Sequence, residues 1–204
     1  MGDDPDAVAR NRERIAEAAG LIEPTRWVWL RQVHGARVHV ATAATVGEPP
    51  EADAAVTATR GLPLAVVTAD CAPVAIVCDD AVGVVHAGHP GLAQGVIEAA
   101  VAALRSIGHG PVRALLGPCI HPDRYEFGAA DLARLVARFG PGVEGVTHDG
   151  RPAFDVPAAA RVALARCGVE HVEDCGVCTS ASSAHFSYRR DGVTGRQATV
   201  VVLP

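Results

Sequence analysis

Residues 64–68, 73–78 and 82–86 form three short apolar runs separated by gaps of turn length. Runs of this length, rich in β-branched residues and bounded by Gly, Pro and Asp, read as strands. Thr68-Ala69-Asp70-Cys71-Ala72-Pro73 joins the first run to the second, Asp79-Asp80 turns into the third, and the third ends in Val85-His86-Ala87-Gly88. Another apolar run, 27–33, ends in Gln32-Val33-His34-Gly35, and residues 37–41 read as a further strand. His34, Cys71 and His86 therefore stand at strand ends, where a rigid support exposes reactive side chains. Two imidazoles and one thiolate form a zinc-ligand set that leaves the fourth tetrahedral position open, the pattern of a catalytic site. The same residue types also fit a buried thiol beside two ordinary loop histidines.

Helical patterns sit between the strand clusters. Residues 6–19 form an amphipathic stretch, 92–107 an Ala-rich helix after the Gly88, Pro90, Gly91 break, and 129–139 and 156–167 two more. Asp155 with Pro157 supplies a cap and an early-turn proline for the last. Residues 112–116, 186–190 and 198–203 read as strands. Strands cluster and helices alternate irregularly, which argues an α+β fold with a mixed sheet. No repeat or linker divides the chain, so residues 1–204 are expected to form a single domain.

All 18 basic residues are Arg, which removes Schiff-base, Walker-type and general-base lysines. A phosphate must then be met by Arg, backbone N–H groups or a metal. The net charge of −5 and the absence of a basic stripe argue against a nucleic acid polymer as partner. The acidic start does not resemble a targeting peptide, and no apolar run reads as a membrane span. The six Cys are read as reduced thiols of a cytoplasmic protein.

Several residues near these segments are candidates for a site. Asp70, beside Cys71, could orient a ligand or accept a proton, or could cap the turn before Pro73. His89 follows His86 by three residues and could meet an anion or lie free in a loop. Cys175-Gly176-Val177-Cys178 is a CxxC without a second pair to complete a structural zinc site. Cys175 is read as structural, Cys178 as a possible site-lining residue, and Cys78, Cys119 and Cys167 as small core residues. Arg189 and Arg190 are adjacent, and neighbours on a strand face opposite sides, so at most one meets the site. Arg196 is a further candidate for anion contact.

These pieces occur in the order of a known family. Gly2-Asp3-Asp4-Pro5 with Asn11-Arg12, Trp29-Leu30 leading to Gln32-Val33-His34-Gly35, Ala52-Asp53-Ala54, Thr68-Ala69-Asp70-Cys71 with Pro73, and His86-Ala87-Gly88 are followed by Gly117-Pro118 with Ile120, Cys178-Thr179, and Phe186-Ser187-Tyr188-Arg189-Arg190-Asp191 with Thr194-Gly195-Arg196. The chain resembles the laccase-domain (YfiH-type, polyphenol oxidase) family of purine nucleoside phosphorylases. The resemblance implies a four-layer α/β/β/α fold and a zinc ion on His34, Cys71 and His86. It also implies phosphorolysis of adenosine, inosine or guanosine to free base and ribose 1-phosphate, with adenosine deaminase and methylthioadenosine phosphorylase side activities. Cys71, His34, His86 and Asp70 would be the catalytic residues, and Gln32, His89, Arg189 and Arg196 would bind nucleoside and phosphate.

Two departures from the family pattern stand out. His86-Ala87-Gly88-His89-Pro90-Gly91 replaces the usual His-Ala-Gly-Trp-Arg-Gly, so a guanidinium able to grip phosphate gives way to proline. The chain is also expected to lack an N-terminal segment that carries Arg-Gly-Gly and Ser-Leu-Asn in the family. The alternatives are a copper-dependent polyphenol oxidase, a cysteine hydrolase using Cys71, and a non-catalytic family member. Against copper, the nine His contain no His-x-His pair.

Overall fold

The computed structural model describes residues 4–204; Gly2 and Asp3 of the resemblance lie outside the described residues. The chain opens with α1 (Pro5–Ala19), whose N-cap Asp4 accepts from the Asp6 N–H and whose C-cap Gly20 takes φ 64°. Then come β1 (Val28–Trp29), β2 (Val38–Val40), β3 (Ala54–Thr57), β4 (Leu64–Thr68), β5 (Ala72–Val77) and β6 (Val82–Ala87). Next are α2 (His89–Gln94), α3 (Val96–Ile107), β7 (Arg113–Leu116), α4 (Ala129–Phe139), β8 (Glu144–Val146) and β9 (Pro152–Phe154). The chain closes with α5 (Val156–Arg166), β10 (His171–Asp174), α6 (Tyr188–Asp191) and β11 (Gln197–Val201).

A six-stranded mixed sheet has the order β10-β7-β5-β6-β3-β2, and a three-stranded sheet has the order β1-β4-β11. Side-chain alternation shows how they stack. In β4, Leu64 and Val66 pack between the two sheets, while Ala65 faces Ala16 of α1 and Trp27. In β3, Ala55 faces the small sheet, and Ala54 and Val56 face the helices. In β6, Val82 and Val84 face the small sheet, and Val85 and Ala87 join Leu92, Ile97 and Leu104 on the helical side. The layers are thus α1, small sheet, large sheet, and α2 to α5: the α/β/β/α order. A strand covered on both faces has no need to alternate, which is why β6 reads as an unbroken apolar run. Gly83 is required there, since a Cβ would stand 2.8 Å from Val56 Cγ1.

Three sequence-based expectations change. The 92–107 helix is two helices, α2 and α3, broken at Gly95, whose φ of 89° closes α2 by donating to the carbonyls of Gly91 and Leu92. The 27–33 strand pairs with β4 only at Val28 and Trp29, and Arg31 makes an isolated bridge to Glu51. Gln32 then stands in for a strand partner, its side-chain amide donating to Val67 O and accepting from Val67 N, both at 2.8 Å. The expected strand over 186–190 is a single helical turn, α6, capped by the Ser187 hydroxyl, which accepts from Arg190 N. Beyond these, β3 and β10 join the large sheet without a clear strand pattern of their own. Among the described residues no helix is long and apolar enough to cross a membrane.

Candidate functional site

Two of the connections that cross between the two sheets at one end of the sandwich carry the cluster. One crossing runs from β1 to β2 and carries His34; the other runs from β4 to β5 and carries Cys71. His86, near the end of β6, lies beside the second crossing through its pairing with Pro73. One ligand atom from each of His34, Cys71 and His86 can be chosen so that all lie within 4.8 Å of one another. Cys71 Sγ is 3.7 Å from His34 Nε2, and the two imidazoles meet edge to face with centroids 4.7 Å apart. Gly88 leaves the space they need: a Cβ there would stand 2.7 Å from His34 Cδ2 and 3.0 Å from Cys71 Sγ.

Asp53 holds this arrangement, and it was given no role from the sequence. It is fully buried and immediately precedes β3. Its carboxylate accepts from the backbone N–H groups of Val33, His34 and Gly35 at 3.2, 2.9 and 2.7 Å. It also lies 2.8 Å from His86 Nδ1. His34 adopts φ 59°, a conformation non-glycine residues rarely take, and this curl brings three successive N–H groups onto one carboxylate. The Asp53 bond occupies His86 Nδ1, leaving Nε2 for the cluster.

The charges reinforce one another. Burial pushes Asp53 upward, but hydrogen bonds from His86, Gly35 and Val33 outweigh it and hold the carboxyl below its ordinary value. Burial is also the largest influence on His86, yet Asp53 and Cys71 prevail and raise it to about 9. Burial likewise opposes the Cys71 thiolate, but hydrogen bonds and charge from His34 and His86 bring the thiol down to about 6. Two imidazoles, a ready thiolate, a carboxylate behind one imidazole and a cradle a methyl group would fill together suit a metal that takes N and S ligands.

The cluster forms one wall of a cavity of about 660 Å³ lined also by Gln32, Thr68, Asp70, His89, Tyr125 and Arg189, with Arg196 at its side. Gln32, His34, Asp70, Cys71, His86, His89, Arg189 and Arg196 all line this cavity, though two carry different duties from those expected. Both amide atoms of Gln32 are engaged by Val67, as described above. Asp70 holds φ 101°, its Oδ1 accepting from the Thr179 hydroxyl and its Oδ2 from Arg189 N, each at 2.7 Å. It therefore ties α6 to the β4–β5 crossing and positions Arg189. That guanidinium lies 4.7 Å from the Tyr125 ring centroid. Arg190 instead pairs with Asp191 and donates to the carbonyls of Thr179, Ser182 and His185. His89 opens α2, with Nδ1 3.3 Å from the Tyr125 hydroxyl and its ring edge-on to Phe127. Burial, then the charge of His34, lowers its pKa, so it is a neutral hydrogen-bonding group at neutral pH.

Two further lining residues escaped sequence reasoning. Tyr125 is pushed up to about 12 chiefly by burial and stays a neutral phenol. Thr68 is 2% exposed, and its hydroxyl has no hydrogen-bond partner among the described residues. Cys178, expected as a possible lining residue, is absent from the cavity wall; its sulfur accepts from His121 N, and its backbone bridges to buried Cys119. Cys175 is exposed, and all six cysteines are free thiols.

Four stacked layers thus carry a thiolate and two imidazoles that face one cavity. The chain belongs to the family described as multi-copper polyphenol oxidoreductase laccase, whose model matches residues 1–204. It is 46% identical to "Purine nucleoside phosphorylase SCO2081" of Streptomyces coelicolor, over 100% of this chain and 85% of that protein. It is 42% identical to "Purine nucleoside phosphorylase Rv2149c" of Mycobacterium tuberculosis, over 98% of this chain and 81% of that one. Among solved structures, YlmD from Geobacillus stearothermophilus superposes with a TM-score of 0.90 at 32% identity, covering 99% of this chain and 82% of that one. Neisseria meningitidis protein NMB0706 gives 0.86 at 37% identity, covering 99% and 83%.

Proposed function

We propose that this chain is a cytoplasmic, zinc-dependent purine nucleoside phosphorylase. It would cleave adenosine, inosine or guanosine with phosphate to free base and ribose 1-phosphate, with adenosine deaminase and methylthioadenosine phosphorylase activities alongside. The observation that carries the reading is the His34–Cys71–His86 cluster, open on one side to a cavity of nucleoside size. His34, the Cys71 thiolate and His86 Nε2 would hold the ion, which would supply Lewis-acid polarisation.

The remaining work falls to the chain's own groups. The unpartnered Thr68 hydroxyl is suited to a ribose hydroxyl, because a buried hydroxyl without a partner costs about 1–3 kcal/mol. Arg189, locked by Asp70 and Tyr125, offers a fixed cation to phosphate, and fixed geometry at the anomeric carbon is where most of the rate is to be gained. His89 and Tyr125, both neutral, offer hydrogen bonds to the departing purine. Asp70 is less suited to protonating the base, as both of its oxygens are already engaged.

Metal analysis coupled to a phosphate-dependent adenosine and inosine assay tests the reading. Stoichiometric zinc and base release that requires phosphate are expected; metal-free protein with full activity would end it. Cys71→Ser should lose most metal and most cleavage, whereas exposed Cys175→Ser should keep both. Pro90 stands where the resemblance implies arginine, so His89→Trp with Pro90→Arg should raise phosphate-dependent cleavage more than deamination. One other reading has an observation behind it: the low pKa of Cys71 also suits a cysteine nucleophile with His34 or His86 as base. Alkylation of Cys71 separates the two, since a metal ligand is protected until the ion is chelated.

A further inference from the structure

A second cavity of about 330 Å³ lies between α1 and the outer face of the three-stranded sheet. It touches the first, because Val67 and Arg196 line both. Its floor is Val67 and Ala198, paired across β4 and β11, and its wall is Trp29 with Asn11 and Arg12 of α1. The Arg12 guanidinium lies over Trp29, its Cζ 3.8 Å from the ring centroid. Trp29 cannot yield: Trp27 stacks on it at 5.6 Å, and its Nε1 donates to Pro24 O at 3.1 Å. Arg12 is therefore a pre-positioned guanidinium.

What Arg12 lacks is an anion. Arg31, Arg138, Arg151 and Arg161 all have carboxylate partners, in a chain with more acids than bases. Among the described residues Arg12 has none, and no carboxylate lines this cavity. Arg196 gives Nη1 to the carbonyls of Thr194 and Gly195, and among the described residues its Nε and Nη2 have no hydrogen-bond partner. Burial lowers the Arg12 pKa, a penalty that a bound anion would offset. Two guanidiniums and an amide lining one cavity are the donor types that bind a phosphate group.

We propose that this cavity is an anion subsite, beside the metal cluster's cavity, that holds a phosphate group on Arg12 and Arg196. The proposal rests on the phosphorolysis reading for its role but not for its binding. The phosphate is either the free inorganic ion or the monoester of a nucleotide lying across both cavities.

Tryptophan emission tests it, since Arg12 covers one of only two indoles. Inorganic phosphate and adenosine 5′-monophosphate are titrated separately into the full chain, wild type and Arg12→Gln, without turnover. Loss of a charge-assisted hydrogen bond should raise the half-saturation of whichever ligand uses the subsite about tenfold. If phosphate alone shifts, the free ion is the ligand; if the monophosphate shifts and phosphate does not, the monoester is. Arg12→Lys should recover part of the affinity, and Arg196→Gln should reproduce the loss should Arg12→Gln fold poorly. Equal titrations of both ligands in wild type, Arg12→Gln and Arg196→Gln would overturn the proposal. Saturable binding without phosphorolysis of any nucleoside would instead overturn the proposed function and leave the subsite standing.

Discussion

The molecule contains the same histidine–aspartate bond twice, once in the site and once on the surface. His86 Nδ1 meets Asp53 at 2.8 Å with side chains 4% and 0% exposed; His109 Nδ1 meets Asp80 at 2.8 Å with side chains 87% and 46% exposed. In both, the carboxyl pKa falls and the imidazole pKa rises. The bond length is therefore uninformative. At the surface, water competes for both partners, and the pair does little beyond closing the turn after β5 with the His109 N–H. In the site, Asp53 is shared with three backbone N–H groups, and His86 faces a thiol and a second imidazole. The difference teaches that a paired histidine becomes chemical when burial removes water and the opposite ring nitrogen is given something to hold.

The largest effect should come from Asp53→Asn. The amide cannot take all four donors and carries no charge, so metal affinity should fall about 10–100-fold. Stability should fall by about 3 kcal/mol through the uncompensated buried group. Chelator competition and thermal melts measure the two, and unchanged values would make the buried pair no different from the exposed one. Gly88→Ala should have an intermediate effect, because it leaves the Asp53–His86 bond intact and crowds His34 and Cys71. Metal affinity should drop about tenfold while stability falls by about 1–3 kcal/mol. A full effect on stability with none on metal would show that the donors can regroup. The smallest effect belongs to Asp80→Asn. The Asp80 contribution is present above the unfolded carboxyl pKa and is lost as pH falls through its lowered value. The His109 contribution is present below about 6.5 and is lost as pH rises through its raised value. The melting shift caused by Asp80→Asn should thus be small at about pH 6 and smaller still at about pH 9. A large shift would blur the contrast between the two pairs.

How much of this was legible in the sequence depended on whether a residue's own surroundings explained it. β4 and α4 match the expected ranges because their patterns are local. The three ligand candidates were legible because reactive side chains beside glycine at strand ends are chemically conspicuous. β3 was not, since Ala54-Ala55-Val56-Thr57 is short and Ala-rich and is a strand only because β2 and β6 flank it. Asp53 was overlooked with it: one carboxylate between alanines signals a partner only once that partner is known. The aromatic and β-branched look of 27–33 suggested a longer strand, but the Gln32 side chain takes over the pairing. Around Arg189 the local pattern also misled, because a helical turn there depends on Asp70, 119 residues away.

The position of Asp53 has a consequence for the order of events during folding. His34, Cys71 and His86 are separated by long stretches of chain, and the bonds that align them span 19 to 37 residues. They face one another only after β3 has settled parallel to β2 and antiparallel to β6, with Ala54 opposite both Val38 and Val85. A slip of one position would offer an alanine, Ala52 or Ala54, where the carboxylate belongs. Contacts of such separation cost loop-closure entropy before they reward it, which slows folding. An ion that binds the completed cluster therefore arrives too late to hasten folding and acts by slowing escape from the native state. Ion uptake would then be a record of finished strand order, and a misregistered chain would take up none.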